Sequence, residues 1–449
     1  YGVVVDGDLV YADGFGVANL ERQIEADTRT LFRIASMSKS FTAMAILQLR
    51  DAGKLRLDDP VSLYLPEAKL LTLLTKDAPE ITIRHLMTHS AGFPEDNPWG
   101  DRQLADSDLE LMEMIDGGVS FSNVPGVTFE YSNLGFALLG QIVQVVSGMR
   151  FQDYTRQYIF EPLGMNSTVW EFDNAPADEL ALGYAWQDES WVHIPHEHHG
   201  SFGAMGGLIT SIEDFNAYVA LHLSAWPPRS DPDTGPLKRS SLREMHQPWR
   251  MAGVMPGFEY PNGRECSSAR AYGYGLRWQE DCQGRVMIGH TGGLPGFGSN
   301  WLMMPQYGLA VMSFDNRTYG GTSTLNTAVL DSIIVLAGLE RRQLPASDIL
   351  ELRKNQLVAL LPDWEGAENS GIFADNFFMD HRLSDYIEGT HAMYEQAGEI
   401  TGVSEVIPEN QLRGSCLMYG EKKNLKVFFT LSPEKDPLIQ QGRITAVEK

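Results

Sequence analysis

Arg33-Ile34-Ala35-Ser36-Met37-Ser38-Lys39-Ser40-Phe41-Thr42-Ala43-Met44-Ala45 sets a hydroxyl and an amine three residues apart at the opening of an apolar run. The Ala, Met, Leu and Phe that carry the run to about residue 49 predict a buried helix, stopped at the glycine of Asp51-Ala52-Gly53-Lys54. Residues i and i+3 share a helix face, so Ser36 and Lys39 can meet. A serine hydroxyl is a poor nucleophile near neutral pH until a base takes its proton. A lysine serves as that base only where burial or nearby cations depress its pKa. The pair alone is a common four-residue pattern, and its meaning rests on its companions.

Two companions lie far along the chain. Tyr131-Ser132-Asn133 follows the turn Pro125-Gly126 and precedes an apolar helix starting at Leu134. Phenol and amide can both point into a cleft from that junction; an aromatic core residue with an Asn cap is the plainer alternative. His290-Thr291-Gly292-Gly293 ends the strand Arg285-Val286-Met287-Ile288-Gly289. Glycines there admit a substrate backbone and leave N–H groups free, each worth roughly 3–4 kcal/mol to a developing oxyanion. An incidental His at a strand-to-turn transition is the competing reading.

Together these elements resemble the serine hydrolase family of class C β-lactamases, D,D-carboxypeptidases, D-aminopeptidases and related esterases, which carries S-x-x-K, Y-x-N and K/H-x-G in this order. Leu31-Phe32-Arg33-Ile34-Ala35-Ser36, Leu86-Met87-Thr88-His89-Ser90-Ala91-Gly92, Pro162-Leu163-Gly164-Met165 and Met205-Gly206-Gly207-Leu208 also look like family text. The likeness covers residues 1 to about 340. It implies that Ser36 attacks a carbonyl and is acylated, and that Lys39 and Tyr131 form a coupled base pair, with Tyr131 protonating the leaving group. Asn133 would bind a substrate amide, with His290 and Thr291 as further substrate contacts. The backbone N–H groups of Ser36 and Gly293 would form the oxyanion hole. Water then attacks the acyl-enzyme with Tyr131 as its base. Class C β-lactamases carry Lys where this chain has His290; a largely neutral imidazole lacks a permanent cation for a substrate carboxylate. The resemblance therefore favours peptide or ester substrates over β-lactams. No cofactor and no metal are implied.

The rest of the chain sets bounds. With 449 residues, 43% hydrophobic, it is long enough for two or three domains with sizeable cores. A net charge of −24 argues against nucleic acid and anionic membranes, and no run of apolar residues is long enough to span a bilayer. The three cysteines, Cys266, Cys282 and Cys416, lack metal-site spacing, and Cys266 can pair with Cys282 if their strands are neighbours. Chain start at Tyr1 rather than Met leaves the compartment open, with periplasm or exterior favoured if a signal has been trimmed. His193-Ile194-Pro195-His196-Glu197-His198-His199 is expected to be an exposed polar loop rather than a zinc site.

For architecture we expect a mixed α/β (α+β) fold, with an antiparallel sheet flanked by helices. Its strands are a hairpin in residues 1–20 and the segments 272–279, 284–289, 300–304 and 309–314. A helical lobe spans about 55–180, a surface excursion fills 225–265, and a helix runs over 324–339. Residues 1–343 form this hydrolase domain. Residues 344–449 form an accessory α+β domain, a helix over 384–397 on four strands, vaguely cystatin-like. The expected partner is a small-molecule or peptide substrate, with homo-oligomerisation through the C-terminal domain possible. The expected function is a serine hydrolase of amides or esters. The alternatives are a β-lactamase or acyltransferase at the same site, and a catalytically idle sensing or assembly protein.

Overall fold

The computed structural model describes residues 1–260, 263–342 and 345–449. The chain divides into two compact units, Tyr1–Arg341 and Arg342–Lys449. The expected boundary between 343 and 344 falls on Gln343 and Leu344, outside the described residues.

An eight-stranded antiparallel sheet organises the first unit. It contains β1 (Gly2–Val5), β2 (Asp8–Ala12), β3 (Arg250–Glu259), β4 (Glu265–Tyr272), β5 (Arg277–Asp281), β6 (Val286–Leu294), β7 (Phe297–Met304) and β8 (Leu309–Asp315), in the order β2-β1-β8-β7-β6-β5-β4-β3. Its central strands are apolar on both faces because both are covered. Ala310 and Met312 of β8 join the core of the helix Ile212–Ser224, while Leu309 and Val311 pack with Leu330 and Ile334 of the helix Ser323–Ala337. Alternation with period two sends neighbouring side chains into different cores.

Helix α1 (Ser38–Asp51) is buried nearly all round, and a short 3-10 turn, Ala35–Met37, leads into it. Beside it lies α2 (Asn133–Ser147), apolar on every side and capped at its start by Ser132. The region between them is largely loop and short helix, Ile83–Met87 and Asp108–Asp116 among them. Ser211 caps the helix Ile212–Ser224 by accepting from the Asp214 N–H. No single helix among the described residues is long and apolar enough to cross a membrane.

Four sequence expectations need correction. Residues 225–265 are more than a surface excursion: they supply a helix, Arg239–Met245, and the edge strand β3. Most β3 residues are exposed, so no alternation marked it. The strand expected over 272–279 is interrupted: Tyr272 ends β4, residues 273–276 turn, and Arg277 begins β5. Gly275, at φ +67°, presses on α1 so closely that a Cβ would lie 2.7 Å from the Lys39 carbonyl oxygen. His290 to Gly293 lie inside β6, which continues to Leu294, rather than after its end. The His193–His199 segment is not uniformly exposed, since His199 is buried. The buried Arg33 guanidinium donates to the Glu197 carbonyl and holds this loop down.

Cys266 of β4 and Cys282, just beyond β5, form a disulfide, and Cys416 is a buried free thiol.

The second unit has its own core, with Trp364, Phe377, Val427 and Phe429 among its members. It contains α3 (Asp348–Val358), α4 (Leu383–Ala397), β9 (Ile400–Val403), β10 (Ile407–Asn410), β11 (Arg413–Gly420), β12 (Asn424–Leu431) and β13 (Ile439–Val447). The sheet runs β9-β11-β12-β13, with β10 also pairing β11. It therefore has five strands where four were expected; β10 is short, half exposed and contains Pro408.

Candidate active site

The 3-10 turn and the first turn of α1 deliver Ser36 and Lys39 to the same point. Lys39 Nζ lies 2.9 Å from Ser36 Oγ, 2.7 Å from Asn133 Oδ1 and 2.9 Å from the Met205 carbonyl oxygen. Burial lowers the Lys39 pKa from 10.5 to about 7; Asp101 and Asp96 act in the opposite sense, and Arg277 adds to the fall. The backbone before the serine is strained: Ala35 has φ +49°, which an alanine adopts at a cost of roughly 1–3 kcal/mol. That bend sets Ser36 at the mouth of the helix, 7% exposed, while Lys39 is wholly covered.

Tyr131 arrives from the other side of the cleft, with Lys39 Nζ 4.9 Å from its ring centroid. Burial pushes its phenol well above the ordinary range, while Arg277 and the Ser36 hydroxyl pull it down. Tyr131 packs on His89, with ring centroids 4.2 Å apart, and His89 packs on Tyr272 at 4.4 Å. Ser132 N–H donates to His89 Nδ1 at 3.1 Å, which ties this aromatic stack to the Tyr131 loop.

His290 completes the stack, but it differs from the expected substrate contact. It is 1% exposed, Tyr272 Oη lies 2.8 Å from its Nε2, and its Nδ1 lies 2.6 Å from the Thr291 carbonyl oxygen. An Nδ1–H tautomer satisfies both bonds, and burial, the largest cause, drives the pKa well below 6.5. The ring is neutral and engaged at both nitrogens. Asn133 likewise has both ends in use, with Oδ1 on Lys39 and Nδ2 on Asn97 Oδ1 at 3.2 Å, and it is fully buried. Thr291 is partly exposed at the cleft.

Strand β6 forms the wall of the site next to Ser36. Its pairing with β5 ends at Arg277 opposite Gly289, so residues 290–294 run on with that edge unclaimed by β5. Gly292 lies where a Cβ would come within 2.2 Å of the Ile34 carbonyl oxygen and of Ser299 Oγ. This close approach brings β6 against the 3-10 turn that holds Ser36, and with it Gly293.

The beta-lactamase family profile matches residues 1–333. The chain belongs to the beta-lactamase family. Protein flp of Staphylococcus aureus (strain MW2) is 27% identical over 325 residues, 71% of this chain and 59% of that protein. The chain thus spans about three-fifths of the length of such curated relatives. Among solved structures, the octameric penicillin-binding protein homologue from Pyrococcus abyssi covers 99% of this chain and 90% of its own, with TM-score 0.62 and 22% identity. A penicillin binding protein from Bacillus halodurans covers 74% of this chain and 95% of its own, with TM-score 0.58 and 26% identity. The fold is the mixed α/β arrangement of this hydrolase family.

Within this beta-lactamase-family site, several residues went unmarked in the sequence. Arg277 opens β5 beside Gly289, is exposed, and lies 5.5 Å from the Tyr131 ring centroid. It lines a cavity of about 590 Å³ with Arg270, His290 and Thr291, and Ser36 is not part of that lining. Asp96 binds the start of α2, accepting from the backbone N–H of Asn133 at 2.6 Å and of Leu134 at 2.9 Å. Asp101 is 3% exposed, accepts from Tyr319 Oη at 3.1 Å, and leaves Oδ1 without a partner. Burial pushes Asp101 up to about 6, against the pull of Lys39. A single Arg or Asp carries no periodic signal; only the fold brings Arg277 to the Tyr131 ring and Asp96 to the start of α2.

Among the described residues no group of three His, Cys, Asp or Glu side chains is placed to hold a metal.

Proposed function

We propose that this chain is a serine hydrolase that cleaves an amide or ester through a Ser36 acyl-enzyme, and that the substrate carries a carboxylate held by Arg277. The observation that carries the reading is the Lys39 amine 2.9 Å from Ser36 Oγ, buried and with a pKa lowered to about 7. A neutral amine there accepts the serine proton and still donates to Asn133 Oδ1 and the Met205 carbonyl. The Tyr131 phenol is protonated at rest, so Lys39 acts as base and Tyr131 as the acid for the leaving group, and the Lys39 ammonium then returns the proton to the phenolate. As the Ser36 oxygen attacks, the developing oxyanion meets the N–H groups of Ser36 and Gly293. Water repeats the sequence on the acyl-enzyme, with its proton passing back through the same pair.

Arg277 changes the argument from His290. The imidazole is neutral, but the guanidinium at the end of the neighbouring strand supplies a permanent cation for a carboxylate. Peptides and esters ending in a free carboxylate therefore fit better than neutral esters.

The test is covalent labelling with a fluorophosphonate and turnover of a reporter ester. Wild type should label and turn over, and Ser36→Ala should do neither. Equal behaviour of the two proteins sinks the proposal and leaves the sensing or assembly alternative.

A further inference from the structure

We propose that the C-terminal unit carries a binding site of its own, for a small apolar molecule with a single negative charge, between α4 and the β12–β13 ribbon. A cavity of about 450 Å³ lies there, within the roughly 300–1,000 Å³ of small-molecule sites. Trp364, Tyr386, Met393, Val427 and Ile444 give it apolar walls. Trp364, 3% exposed, satisfies its own Nε1–H on Thr390 Oγ1 at 2.9 Å and packs on Tyr386 with ring centroids 5.1 Å apart, so the two rings form a fixed apolar wall.

Two glycines on the lining point to an occupant. Gly389 sits in the middle of α4, where glycine costs about 1 kcal/mol relative to alanine, yet a Cβ there would meet nothing within 4 Å. Gly442 lies inside β13, and a Cβ there would come no closer than 3.5 Å, ordinary contact with the Phe377 ring. Glycine inside a strand weakens it and often marks the close approach of a ligand. Protein packing requires neither glycine, and the space beside Gly389 is open.

Charge selects the ligand's polar end. Arg443 lines the cavity, is exposed, and has no ion pair among the described residues. The one carboxylate on the lining, Asp385, is engaged by the first turn of α4, accepting from the Arg382 N–H at 3.2 Å and from the Ser384 hydroxyl at 3.4 Å. One uncommitted guanidinium beside apolar walls suits a monoanion such as a carboxylate, which it can bind through two parallel hydrogen bonds. A polyphosphate would need more cations than this lining holds.

Calorimetric titration of the full chain with decanoate and with 2-naphthoate tests the site, with decyltrimethylammonium as the opposite charge. At least one carboxylate should bind at one per chain, and the cation should not. Arg443→Gln should weaken binding by at least about tenfold, the value of a lost charged hydrogen bond. Gly389→Leu, which fills the opening, should abolish it, with thermal melting to show that the variant is folded. Ester turnover should be unchanged in both variants. The proposal is overturned if neither carboxylate binds, if the cation binds as tightly, or if binding survives Arg443→Gln unchanged; the last result would place the ligand elsewhere, including at Ser36.

Discussion

Three acceptors surround Lys39 Nζ, and they serve the amine in either protonation state. As an ammonium it donates to all three; as a neutral amine it keeps two and accepts from Ser36. Catalysis as proposed needs the neutral form, so kcat/KM should rise with pH through the region near 7 where Lys39 loses its proton. Asp101 favours the charged form, and Asp101→Asn should therefore move that acid limb to lower pH. A pH–rate profile with an unmoved midpoint would refute the assignment. Arg277→Gln should reduce kcat/KM roughly 10–100-fold for substrates with a free carboxylate, the worth of a charged hydrogen bond, and leave their methyl esters unaffected. Equal losses on both would remove Arg277 from recognition. Ser36, Lys39 and Tyr131 stood out in the sequence as candidates because the proposed chemistry demands those residue types at those spacings, and the structure brings them together. Asp101 and Arg277 did not stand out, since their role depends on what lies across the cleft.

At the scale of elements, the site depends on how closely β6 approaches the 3-10 turn before α1. Gly292 and Gly293 look alike in sequence but differ in what surrounds them. A Cβ on Gly292 meets the Ile34 carbonyl oxygen at 2.2 Å, whereas on Gly293 the nearest atom is Cδ1 of the Tyr319 ring, at 2.8 Å. Backbone cannot yield as a side chain can. Gly292→Ala should thus lose both ester turnover and stability, by at least the roughly 1–3 kcal/mol of an overpacked core. Gly293→Ala should melt closer to wild type. Chemical denaturation of the two variants decides this, and the reverse order would contradict the packing account. Helices such as Asn133–Ser147 were readable from apolar runs, whereas the Ser132 cap emerged only in the structure. Strand β3 was not, because a sheet edge with both faces largely exposed has no alternation to read. The β4–β5 turn was missed because Tyr272, Tyr274 and Leu276 are buried like strand residues.

At the scale of the whole molecule, the two units have separate cores, one built on α1 and the large sheet and one on Trp364 and the five-stranded sheet. Residues 1–341 expressed alone should keep ester turnover, and residues 342–449 alone should unfold cooperatively in a circular dichroism melt. Failure of either fragment to fold would show that the division by contacts is not one of stability. The amino-acid sequence by itself determined the family and marked Ser36, Lys39 and Tyr131 as a candidate nucleophile with two partners, because covalent chemistry restricts residue type and spacing along the chain. Only the tertiary structure decided that His290 and Asn133 have both ends of their side chains engaged within the protein, that Arg277 lies over the Tyr131 ring, and that Asp101 is buried against Tyr319. Those facts depend on burial and on contacts between residues far apart in the chain, which set pKa values and hydrogen-bond partners and leave no trace in local pattern.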